Sequence, residues 1–167
     1  MATPATTPRS SRGWLPYMVQ SNGYGPSAQR IGSEIDRIIF HEIRTLLRKN
    51  PDISTIFSYL WELVEGDLED EYGILRPTRY AIRKVLELLV SAGLQTQRRV
   101  PYGAPSTDDE GGIRIEWHWR GRDLRLVIPA SAEGQHYVYH ELDDAYGLET
   151  HIDATTLAKW LDWLTNV

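Results

Sequence analysis

The chain contains no cysteine. That excludes a disulfide framework, a thiolate zinc site, an iron–sulfur cluster and a cysteine nucleophile, and it fits a reducing compartment. No apolar run approaches the roughly 20 residues that span a bilayer. The stretch Trp14-Leu15-Pro16-Tyr17-Met18-Val19 is too short for a signal core and is broken by proline. Cytoplasm is therefore the expected location, with no membrane partner. Acids are missing from residues 1–30, which hold Arg9, Arg12 and Arg30 and so carry +3. The formal net charge is −5, which leaves −5 − 3 = −8 on the remainder. An acidic body opposes wide, non-specific binding to nucleic acid but leaves room for a local basic face. The sequence also lacks a G-x-x-x-x-G-K-[ST] loop, a G-x-G-x-x-G turn after a strand and a G-x-S-x-G elbow.

What is present suits one domain. With 167 residues, 41% of them hydrophobic, the chain can bury a sizeable core. Residues 1–30 read as a flexible tail, because Pro4, Pro8, Pro16, Gly23, Gly25 and Pro26 interrupt every period. Within it, Trp14, Leu15, Tyr17 and Met18 are large apolar residues suited to docking, either onto their own domain or onto a partner. Residues 31–167 read as a single domain, helical over 33–93 and β-meander plus helix over 94–167.

A first helix is predicted over Ser33–Lys49, with Ile35, Ile38, Ile39, Ile43, Leu46 and Leu47 as its stripe and Asn50-Pro51 as its stop. A second spans about Ile53–Glu65, capped by Asp52. A third starts at Pro77 or Thr78 and stops at Gly93. Leu94–Val100 is a candidate edge strand, and Pro101–Gly112 reads as a mobile loop. After it the period changes to two. Ile113, Ile115, Trp117 and Trp119 alternate with Arg114, Glu116, His118 and Arg120. Leu124–Ile128 and His136–Leu142 follow as strands, and a helix capped by Asp153 runs to Thr165. The predicted class is α+β: three N-terminal helices, an antiparallel meander of three strands with a fourth candidate, and a covering C-terminal helix.

Five histidines offer candidate ligands and general bases. His41-Glu42 and His140-Glu141 open like a zinc-protease motif, but the second histidine it requires is replaced by Thr45 and Asp144. His136 and His140 stand about 13 Å apart along a strand, too far to share a metal. No metal or other cofactor is expected. His118, His140, Glu116 and Asp143 form a candidate hydrolytic or nuclease-like cluster if they converge on the polar sheet face. Arg98, Arg99, Arg114, Arg120, Arg122 and Arg125 form a candidate nucleic-acid stripe, with Trp117, Trp119, Tyr137 and Tyr139 nearby. In the first strand the aromatics alternate away from the arginines, which assigns them to the core. From Glu62 to Glu71 there are six acids and no base. Glu69, Asp70 and Glu71 are the candidate docking point there for a basic partner.

One set of motifs is familiar. Asp70-Glu71-Tyr72-Gly73 precedes the proline-led helix start at Pro77. Gly111-Gly112-Ile113-Arg114-Ile115-Glu116-Trp117 then opens a hairpin that continues through Leu124–Ile128 and Tyr137–Glu141. Over about residues 70–164 this resembles small bacterial proteins with an Asp-x-Tyr-Gly helix approach and a Gly-Gly-led, tryptophan-containing hairpin. The resemblance implies a bacterial, cytosolic accessory protein and transfers no catalytic residue.

Together these features predict a non-catalytic protein-interaction module, such as an antitoxin, an immunity or defence accessory, or a subunit of a larger complex. A nucleic-acid-binding module on the arginines and a small hydrolase or nuclease on the histidines are the alternatives.

Overall fold

Asn50 sets the first corner of the chain. The computed structural model describes residues 41, 43–66, 69–70, 73–74, 76–96 and 98–166, with the backbone alone at 69–70 and 73–74. Helix α1 (residues 43–49) ends where Asn50 N–H and Nδ2 both donate to the Leu46 carbonyl, at 2.8 and 3.3 Å. The same side chain accepts from Val100 N–H at 3.2 Å. One buried amide thus closes a helix and holds a segment fifty positions away. Asn50 is also the N-cap residue of α2 (Pro51–Glu65), where Pro51 takes the first helical position. Asp52, expected to cap this helix, instead lies in its first turn and pairs with Arg99 at 3.2 Å.

The acidic segment between α2 and the next helix contains a short antiparallel ladder, β1 (Glu69–Asp70) with β2 (Gly73–Ile74). Helix α3 (Arg79–Gln95) begins at Thr78. Its hydroxyl accepts from Ala81 N–H at 3.1 Å and donates to the Ala130 carbonyl at 2.6 Å. Thr78 N–H donates to the Gly111 carbonyl, and Gly111, at φ +86°, passes so close that a Cβ would stand 2.8 Å from the Arg76 carbonyl. The helix start is therefore tied to the sheet at two points. Gly93, expected to stop this helix, lies inside it. A Cβ there would meet Ile53 Cδ1 at 2.8 Å, so this glycine lets α3 approach α2 closely.

The sheet has five strands in sequence order, all antiparallel: β3 (Ala104–Thr107), β4 (Ile113–Trp119), β5 (Arg122–Ile128), β6 (Tyr137–Leu142) and β7 (Ala145–Thr150). The α+β class with a C-terminal helix stands, and the strand count is corrected from three or four to five. Leu94 and Gln95 end α3 rather than begin a strand, and the edge strand β3 lies within the span expected to be a mobile loop. Helix α4 (Ala154–Thr165) starts at Asp153, whose carboxylate accepts from Thr156 N–H at 2.7 Å.

The core lies on one face of this sheet. Ile113, Ile115, Trp117, Leu124, Leu126, Ile128 and Val138 are buried against Val85, Leu89, Leu157, Leu161 and Leu164. Helices α3 and α4 cover that face, and on the other Arg114, His118, Tyr146 and Leu148 are exposed. The start of the expected first helix, Ser33–Phe40, and the expected tail lie outside the described residues.

Replacing Asn50 by leucine should leave a buried Val100 N–H unpaired. We expect a loss of roughly 2 kcal/mol in stability, read as a lower urea midpoint at unchanged slope. An unchanged midpoint would mean that water reaches Val100.

Candidate functional site

The strand register decides which side chains share a face, because directly opposed residues point the same way. Val138 opposes Leu126 and His140 opposes Leu124, so both belong to the helix-covered face. His118 opposes Asp123, and Asp123 opposes Glu141, so these three belong to the open face. The proposed cluster of His118, His140, Glu116 and Asp143 therefore does not assemble. His118 and His140 point to opposite sides, and Asp143 lies in the β6–β7 turn. His118 Nδ1 sits 2.5 Å from Asp123, and Glu116 Oε1 sits 2.6 Å from Arg125 Nε. The His118–Asp123 pair is exposed and lines neither the concavity beside Arg98 and Arg99 nor the groove beside Trp160 and Trp163. Among the described residues no three His, Asp or Glu side chains stand close enough to share a metal ion.

The arginines are dispersed as well. Arg98 donates to the Thr165 carbonyl at 3.0 Å and to Asn166 Oδ1, and Arg122 donates to the carbonyls of Trp163 and Asn166. These two guanidiniums satisfy the carbonyl end of α4. Arg99 is held by Asp52 and Arg125 by Glu116. Arg120 lies in the β4–β5 turn, and Arg114 is on the open face. A concavity of 320 Å³ is lined in part by Lys49, Arg98 and Arg99, but both its arginines are already engaged.

What the register brings together on the open face is aromatic. In the first strand the sequence pattern assigned Trp117 and Trp119 to the core, away from the arginines; Trp117 is fully buried, whereas Trp119, at the end of β4, is 42% exposed. Tyr137 and Tyr139, in β6, share the open face with Arg114 and Arg125. Arg125 lies over the Tyr139 ring at 5.6 Å. Tyr139 is opposed by Leu148 and stacked on Tyr146 at 6.3 Å. Tyr146 is 76% exposed and Leu148 58% exposed. This face carries two guanidiniums, Arg114 and Arg125, against three carboxylates, Glu116, Asp123 and Glu141. Tyr139 donates to Glu141 at 2.5 Å, and that bond raises the pKa of the phenol.

Behind β6 and β7, on the helix-covered side, lies a groove of 460 Å³. Its wall is α4, through Trp160 and Trp163, which meet edge to face at 5.4 Å. The His140 ring stacks on Trp160 at 3.7 Å. Trp160 Nε1 donates to Glu149, whose pKa falls mainly through that bond, with help from Lys159 at 3.3 Å. Burial lowers the pKa of His140. The nearby Lys159 adds to the effect and Glu149 opposes it.

Sequence reasoning missed Tyr146, Leu148 and the groove because β7 was not recognised as a strand. The available signal was the alternation of Tyr146, Leu148 and Thr150. Of the partner-binding candidates, Trp14, Leu15, Tyr17, Met18 and Glu71 lie outside the described residues, as do the side chains of Glu69 and Asp70. The chain was compared with protein-family models, curated proteins and solved structures, and none matches it.

Because the fold lowers the pKa of His140, the unfolded chain takes up this proton first on acidification. Stability should therefore start to fall below about pH 6.5, the unperturbed histidine value, and the loss should be complete below the folded pKa. Urea midpoints at neutral and mildly acidic pH should fall less for His140→Phe, which preserves the stack and cannot titrate. Identical slopes in the two proteins would remove His140 from the account.

Proposed function

We propose that this chain is a non-catalytic protein-interaction module, an accessory subunit that binds another protein through the β6–β7 side of its sheet. The observation that carries this reading is the open sheet face. It places the exposed Tyr146 and Leu148 beside the half-buried Tyr139 on an antiparallel frame, with arginine and carboxylate side chains around them. Tyrosine and arginine are the residue types that dominate protein interfaces, and polar groups around an apolar centre are the usual anatomy of one. Exposed apolar residues matter when they are contiguous, as these are.

A nucleic-acid reading draws on Arg114 and Arg125 beside the tyrosines. Against it, the carboxylates on that face outnumber the guanidiniums, and Arg125 is paired with Glu116. A phosphate backbone would meet more repulsion than attraction there. A hydrolytic reading has lost its cluster, as His118 and His140 point to opposite sides of the sheet.

The test is affinity capture from the native host by the full chain and by a Tyr139→Ser/Leu148→Ser double variant. The full chain should retain a stoichiometric protein at high salt. Losing two central contacts worth about 1–2 kcal/mol each should weaken retention at least about tenfold. Capture of nucleic acid that high salt removes would overturn the reading in favour of its rival.

A further inference from the structure

The two edges of the five-stranded sheet differ. At β3, α2 packs against the strand, and Pro105 has no N–H to offer. β7, at the other edge, carries neither proline nor lysine, the residues that commonly guard an exposed edge. Its turn fixes which backbone groups are free. Only Asp143 and Asp144 separate Leu142 from Ala145, so these flanking residues exchange both their backbone hydrogen bonds. Alternation then directs the N–H and C=O of Gly147 and Glu149 towards β6, and those of Tyr146, Leu148 and Thr150 outward.

The groove walled by Trp160 and Trp163 lies beside this edge, which is unpaired among the described residues, on the helix-covered side. Gly147 lies against the His140 ring that lines it: a Cβ there would stand 2.6 Å from that ring. A strand added to β7 would send alternate side chains to the two faces. One set would fall beside Tyr146 and Leu148, and the other would fall over the groove.

We infer that β7 receives an extended segment of another protein as a sixth strand, its bulky apolar side chains entering the Trp160–Trp163 groove and a basic residue lying near its C-terminal end. The inference rests on the protein-interaction reading above and specifies its mode. Every pairing in the sheet is antiparallel, which places the C-terminal end of the incoming strand beside the β6–β7 turn. Asp143, Asp144 and Glu141 gather there, and none has a cationic partner among the described residues. A second copy of this chain fits poorly. On the groove side β7 itself presents Ala145, Gly147 and Glu149, so a paired copy would leave the groove unfilled and carry a carboxylate over it.

Two variants of the full chain isolate the edge. Leu148→Pro deletes an outward N–H that makes no bond within the sheet, and Ala145→Phe fills the mouth of the groove from an exposed position. The probe is a displayed library of random short peptides selected on the wild-type chain. Enriched peptides should alternate apolar residues, carry Lys or Arg towards the C-terminus and shift the amide resonances of Tyr146, Leu148 and Thr150. Their affinity should fall at least about tenfold in either variant, the loss of roughly 1.4 kcal/mol or more, while circular dichroism stays unchanged. Should Leu148→Pro unfold, Ala145→Phe alone decides. No enrichment, or equal binding by the variants, would overturn strand addition. If host capture still depends on Tyr139 and Leu148 in that case, the interaction-module reading survives without it. Self-association abolished by Leu148→Pro would replace the foreign strand by a second copy and so overturn the inference.

Discussion

The burial of Trp117 organises more of this fold than any other single contact. Its indole is fully buried, and its Nε1 donates to the Pro101 carbonyl at 3.1 Å. A side chain at Gly103 would collide with the same ring. The segment after α3 is thus drawn across the indole and delivered into register beside β4, with Pro105 opposite Ile115. Truncating a buried tryptophan costs about 3–5 kcal/mol, a large part of the 5–15 kcal/mol that holds a typical domain together. The asymmetry of the two sheet edges follows from this anchor. Because Trp117 recruits 101–107 to the β4 side, that edge is paired and backed by α2, and β7 is left as the uncovered edge among the described elements.

How far the sequence was legible depended on whether local pattern and tertiary environment agreed. β4 was legible because Ile113, Ile115 and Trp117 alternate with charged residues and the sheet buries those three. α4 was legible because Asp153 caps an apolar stripe that meets the core. β3, Ala-Pro-Ser-Thr, has almost no strand propensity and is a strand because its neighbour holds it there. β7 was missed for the opposite reason. Its large residues, Tyr146 and Leu148, face solvent, while the helix-covered side receives Ala145, Gly147 and Glu149. A strand with its apolar side outward looks like a loop until the topology says which side is out.

The arginines illustrate the same limit. Six of them cluster loosely in the sequence from Arg98 to Arg125 and suggest a stripe. The carbonyl end of a helix competes for them. α4 has no basic residue in its last turn, so its terminal carbonyls collect Arg98 and Arg122 from other elements. Spacing along the chain carries no information about that demand, because it arises only when α4 docks beside β5.

This capping also bears on how the β7 side would bind. Arg122 lies over the Trp163 ring at 5.1 Å while it holds the end of α4, and Glu149 fixes Trp160 from β7. Asp153 caps the other end of the helix. The tryptophan wall of the groove is therefore pinned at both helix ends and across to the strand it flanks. Ordering side chains on binding costs about 0.5–1.5 kcal/mol for each one immobilised. Here that ordering is already built into the fold by Arg98, Arg122 and the carboxylates of Glu149 and Asp153, so an incoming strand would meet a wall that needs no rearrangement.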